Sequence, residues 1–154
     1  MTVLAAVRPH GWDFPLFLHV FGAMILVGGL VAGAGALGLA RGDVRLLRLG
    51  YWSLLAISLP GWVLMRVGAE WIRSKEGWND LPSGIPDPDW LTTGSIIADA
   101  GGAVLLVSLV VGAVGVRRLG AGKGAGALTA TLALSFVLLA AYVVAVWAMA
   151  AKPD

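Results

Sequence analysis

The chain has 154 residues, of which 58% are hydrophobic and only 13% charged, with a mean hydropathy of +0.86. Soluble domains carry about 25% charged residues, so this composition belongs to the membrane class and not to water-soluble enzymes or binding modules. The net charge of +2 comes largely from short basic connections between apolar runs, which excludes a nucleic-acid surface, and the absence of cysteine excludes disulfides, thiolate metal sites and Cys nucleophiles.

A membrane-crossing helix needs about 20 predominantly apolar residues, and four segments qualify. The first runs from Phe14 to about Ala40, with His19 as its only ionisable residue. Its apolar region is too long for a secretory signal, and the segment before it balances Arg8 against Asp13. Within it, "VGGLVAGAGALG" places Gly29 and Gly33 at the four-residue spacing that lets backbones approach closely in lipid. That closeness serves packing within the chain or, alternatively, a homo-oligomer. The connection "RGDVRL" and the start of the second span then supply Arg41, Arg45 and Arg48.

The second span runs from about Leu46 to Ile72 and holds Arg66 and Glu70 one helical turn apart. Pro60, just inward of Arg66, removes a backbone hydrogen bond and predicts a kink. The loop over 74–93, "SKEGWNDLPSGIPDPDW", is rich in Pro, Gly and Asp and predicts irregular chain. Trp71, Trp78 and Trp90 flank it as an aromatic belt at the interface, or as a lid over a site beneath. The third span runs from Gly94 to Val116, holds Asp99, and carries Ser108 and Gly112 at the small-residue spacing. The connection "RRLGAGKG" supplies Arg117, Arg118 and Lys123; it lacks the strand and the Gly-Lys-Ser/Thr ending of a phosphate loop. The fourth span, about Ala125 to Ala151, holds no charge.

Across the first and third connections six basic residues face the single acid Asp43, while the opposite side is acid-rich. The positive-inside rule places the basic connections in the cytoplasm. The expectation is therefore an all-α, multi-pass protein of the cell membrane, one domain over 1–154. It would be an up-down four-helix bundle with both termini and loop 74–93 outside. Its partners are the lipid bilayer and a homo-oligomeric copy or membrane partner subunit, with no nucleic acid.

Helical rise is about 1.5 Å per residue. Measured from the outer ends, His19 and Asp99 lie about 7 Å deep, Arg66 about 9 Å and Glu70 about 3 Å. Ionisable groups in the membrane usually face the bundle interior and pair with one another. Arg66, Glu70 and Asp99 therefore read as a polar cluster, with His19 bonding to either acid and Tyr142 of the fourth span capping it or finding a backbone carbonyl.

Three chemistries suit these residues. His19 can ligate haem iron while Arg66 pairs with propionates, a second axial ligand being absent unless His10, Met24 or Met65 serves. His19, Asp99 and Glu70 can bind a divalent metal such as copper, against repulsion from Arg66. His19 and the acids can bind a small solute or relay protons in an oligomeric carrier. Against all three stands a scaffold or accessory subunit in which the cluster only holds helices together. Hydrolysis is disfavoured, because Ser53, Ser58, Ser108 and Ser135 lie away from His19 in depth. The sequence does not assign an enzymatic reaction.

The stretch "FLHVFGAMILVGGL" resembles the first core helix of the copper-resistance D membrane family. That group extends to small four-helix bacterial membrane proteins and the membrane-embedded protoporphyrinogen oxidases. Leu18, His19, Val20, Ala23, Gly28 and Gly29 match the pattern, while Leu26 stands where Trp is usual. The resemblance covers about 16 residues; it implies a four-helix bundle with His19 as a haem or copper ligand.

Overall fold

The computed structural model describes residue 11 and residues 13–75 and 88–151, and every described element is helical. The order is α1 (Asp13–Leu39), α2 (Val44–Ser53), a π segment (Leu54–Ser58), α3 (Leu59–Lys75), α4 (Asp89–Arg118), a 3-10 turn (Leu119–Ala121) and α5 (Ala125–Ala151). The α2, π and α3 segments run on as one span. Four stretches, Asp13–Leu39, Val44–Lys75, Asp89–Ala121 and Ala125–Ala151, are long and apolar enough to cross a membrane. The chain has the architecture of a multi-pass membrane protein built as a four-helix bundle.

The fourth span has the bounds expected from sequence, and the first differs by one residue at each end. The third starts at Asp89, five residues before Gly94, inside the stretch expected to be irregular. Pro88 forms the N-cap and Asp89 puts an acid in the first turn, where it faces the positive end of the helix dipole. These residues read as loop in sequence but chemically make a helix start. His10, Trp78 and the stretch 76–87 of the outer loop lie outside the described residues.

At the first connection Arg41 (φ 40°) and Gly42 (φ 93°) turn the chain through left-handed backbone. Asp43 then caps α2, its Oδ1 accepting the Arg45 backbone N–H at 2.8 Å. Pro60 acts one turn earlier than its own position. Its ring would press on the carbonyl four residues back, at Ala56. The helix widens there: the Leu59 N–H donates to Leu54 O, five residues back, in a π segment.

Glycine sets the packing. On the contact between α1 and the second span, Gly22 faces the Met65 backbone, Gly61 faces Leu26 and Gly68 faces His19, while Gly29 meets Ser58 and Gly33 meets Leu54. Positions rise along α1 as they fall along its partner. Gly22, Gly29 and Gly33 of α1 are thus used inside the chain, and a Cβ at Gly29 would lie 2.5 Å from Ser58 Oγ. Where α4 packs on α5 the glycines make room for bulk, Gly101 for the Tyr142 ring and Gly112 for Thr131, with Tyr51 of α2 also against Gly112. Leu26, Leu30, Leu54, Leu105 and Leu138 fill the core. The outer surface is also apolar, with Val110, Phe136, Val143 and Trp147 exposed, as a lipid-facing surface requires.

Half of the buried hydroxyls bond to helix carbonyls. Ser53 Oγ donates to Gly29 O at 3.1 Å across helices, and Ser135 Oγ to Thr131 O at 2.9 Å within α5. Ser58 Oγ, Ser108 Oγ and the Tyr142 hydroxyl are buried without a partner among the described residues.

Candidate functional site

Arg66 gathers two carboxylates. Its Nη2 lies 2.9 Å from Glu70 Oε1, one turn along α3, and 2.8 Å from Asp99 Oδ1 on α4. The i,i+4 spacing makes the first contact and equal depth on neighbouring helices makes the second. The acids are more than half exposed, at 55% and 60%, against 23% for Arg66. Trp62, one turn before Arg66 on the same stripe of α3, donates its Nε1–H to Ala98 O at 2.9 Å. The indole lies against Gly102. Sequence reasoning missed this second tie to α4, although the spacing Trp62, Arg66, Glu70 marks one face.

His19 does not bond to an acid. Its Nδ1 lies 2.9 Å from the Met65 carbonyl. A carbonyl oxygen only accepts, so Nδ1 carries the proton and donates. The bond exists because α1 and α3 nearly touch at Gly22, Gly61 and Gly68, which brings the α3 backbone within reach of the ring. The other ring nitrogen, Nε2, makes no hydrogen bond among the described residues.

The metal set expected from His19, Glu70 and Asp99 is therefore not assembled. Both carboxylates are drawn to the Arg66 guanidinium and the imidazole is turned to a backbone carbonyl. Among the described residues no three His, Cys, Asp or Glu side chains come together as a metal-holding group. Tyr142 also departs from expectation. It is 5% exposed, its hydroxyl packs against Gly101, and it reaches neither the cluster nor a carbonyl.

His19, Arg66 and Tyr142 all line one cavity of about 120 Å³ between α1, α3, α4 and α5. Glu70, Arg73 and Ser95 complete its polar groups, and Asp99 touches it only through Arg66. The remaining wall is apolar, including Ala23, Val27, Ala98, Ala145 and Val146. None of Ser53, Ser58, Ser108 or Ser135 lines it, so the hydroxyls already disfavoured as nucleophiles stay apart from His19.

An engineered protein cavity of about 150 Å³ holds one benzene. The space here therefore has room for a single ring or a short chain. Arg66 is engaged by two carboxylates and has no charge left over for propionates. The arrangement does offer a positioned imidazole. Ligating histidines usually donate their second ring N–H to a carbonyl or carboxylate, and His19 does so to Met65. Compared with protein-family models, curated proteins and solved structures, the chain matches none.

Proposed function

We propose that this is an up-down four-helix protein of the cell membrane, with both termini outside, that binds a small lipophilic ligand in its outer cavity. The basic connections at Arg41, Arg45, Arg48 and Arg117, Arg118, Lys123 support the orientation. The antiparallel residue pairs between α1 and the second span, and between α4 and α5, support the topology. The observation that carries the binding reading is His19, whose ring is fixed through Nδ1 on Met65 O and which lines an apolar cavity. Pockets of this make-up, apolar walls with a few converging polar groups, are the usual form of ligand sites.

The test is to extract the protein in mild detergent beside His19→Ala. Native mass spectrometry, an absorption spectrum and metal analysis are then recorded on both. A small-molecule adduct lost in the variant is the expected result. A Soret band or stoichiometric copper lost in the variant would instead make His19 the cofactor ligand that the family resemblance implies.

A second reading has its own observation. Arg66 and Trp62 together tie α3 to α4 through Asp99 and Ala98, as a scaffold or accessory subunit would need. A protein that is colourless, metal-free and adduct-free, and stays so after haem is added back, would favour that reading.

A further inference from the structure

The basic end of the bundle has a groove of its own. It lies between the α1–α2 turn and the start of α5, with a volume of about 180 Å³. The chain around the turn contributes Leu37, Ala40 and Leu47 to its lining, and α5 contributes Leu128 and Leu132. Small residues leave the gap, Gly42 in the turn and Ala125 at the first position of α5. Leu132 is seven residues into α5, so the groove runs about 10 Å inward from the helix end.

Arg41 is the one charged residue that lines this groove. It is exposed and has no ion pair among the described residues. The turn holds it at φ 40°, in left-handed backbone that favours glycine. Five more cations, Arg45, Arg48, Arg117, Arg118 and Lys123, share this side with Asp43 as the single acid, and the Asp43 carboxylate caps α2. Orientation in a membrane calls for cations on this side. It does not call for one of them to line an apolar groove.

A cation beside an apolar slot at a membrane surface matches an anionic headgroup joined to a hydrocarbon chain. A guanidinium takes phosphate oxygens in a two-pronged fork. Arg41 follows the end of the first span by two residues, at headgroup level, and its long side chain can swing to a phosphate there. Thr129, the other polar side chain of the lining, already donates its hydroxyl proton to Ala125 O at 3.0 Å. A free phosphate would leave the leucines unused. An engineered cavity of about 150 Å³ holds one benzene, so this groove has room for the first carbons of a chain. We infer that the groove docks an acidic phospholipid, its phosphate on Arg41 and the start of one acyl chain along Leu128 and Leu132.

The site is separate from the outer cavity, and its test does not depend on His19. The full chain in mild detergent is titrated with phosphatidylglycerol or with phosphatidylcholine of the same acyl chains. Native mass spectrometry counts the bound lipid. The choline lipid brings its own cation to a cationic surface, so phosphatidylglycerol is expected to bind wild type about tenfold more tightly. Arg41→Gly, where glycine suits the φ of 40°, is expected to lose that preference. Arg117→Gln loses the same charge on α4, outside the groove lining, and is expected to keep most of it. Excess inorganic phosphate is expected to leave the lipid bound.

Equal binding of the two lipids to wild type would overturn the inference. Equal losses in Arg41→Gly and Arg117→Gln would overturn it too, by reducing the preference to the diffuse charge of this side. Displacement by inorganic phosphate would mean a phosphate site in which the acyl chain has no part, and would overturn the lipid. No bound lipid on wild type would overturn the inference outright.

Discussion

Gly61→Ala tests whether the α1–α3 contact is as close as the structure has it. An ideal Cβ at position 61 would lie 2.9 Å from Leu26 Cα and closer still to Leu26 N, both backbone atoms of α1. Ordinary contact begins near 3.4 Å, so clearing the nearer atom parts the helices by about 1 Å at this point. Overpacking of this kind costs about 1–3 kcal/mol, while alanine regains up to about 1 kcal/mol of helix propensity over glycine. The net expectation is a loss of about 1–2 kcal/mol. The same displacement acts one turn from Met65, so it also stretches the 2.9 Å bond to His19 Nδ1 toward the limit of a hydrogen bond. Gly28→Ala is the control: nothing lies within 4 Å of a Cβ there, and it should be neutral or mildly stabilising. Equilibrium unfolding in mixed micelles, followed by far-UV circular dichroism, measures both. A Gly61→Ala protein as stable as wild type, or an equal loss in Gly28→Ala, would refute the close crossing.

Three further outcomes follow from the site. Tyr142→Phe should raise the stability of the ligand-free protein by about 1–3 kcal/mol, because it deletes an unsatisfied buried hydroxyl; a lower melting temperature would mean that the hydroxyl has a partner. Asp99→Asn should weaken the α3–α4 contact more than Glu70→Gln does, since only Asp99 reaches Arg66 from another helix. Each change should stay within about 1 kcal/mol for such exposed pairs. A double-mutant cycle with Arg66→Gln that returns no coupling would remove the ion pair as a tie. Trp62→Phe should cost about 1 kcal/mol by losing the 2.9 Å bond to Ala98 O, which chemical unfolding of the pair of proteins would read directly.

The spans were legible because apolar length alone identifies them. The second span was read too short at both ends: Arg45 near its start and Arg73 near its end interrupt the apolar run without breaking the helix. The third was cut at Gly94 because Pro88 and Asp89 look like loop chemistry, although they also serve a helix N-terminus. Arg66 with Glu70 and Asp99 could be read from spacing and depth. The partner of His19 could not, because a backbone carbonyl has no residue identity and becomes reachable only where glycines bring two helices together. That the Tyr142 hydroxyl stands alone is likewise a property of three-dimensional surroundings, and no local pattern signals it.

The two seams between the helical hairpins are unequal. α1 grips the second span through facing glycines, and α4 grips α5 by taking its side chains over glycine. Each hairpin therefore moves most easily as a unit. Both polar ties between the hairpins, Arg66 to Asp99 and Trp62 to Ala98, lie on the α3–α4 side. The α1–α5 side is packed more closely, with Ala23 and Val27 across the cavity from Ala145 and Val146. If the hairpins part, they pivot on the better-packed α1–α5 side and open where the two polar ties must break, between α3 and α4. That motion would put the mouth of the cavity against the hydrocarbon of the bilayer, so a molecule dissolved in lipid could reach His19 sideways without crossing water.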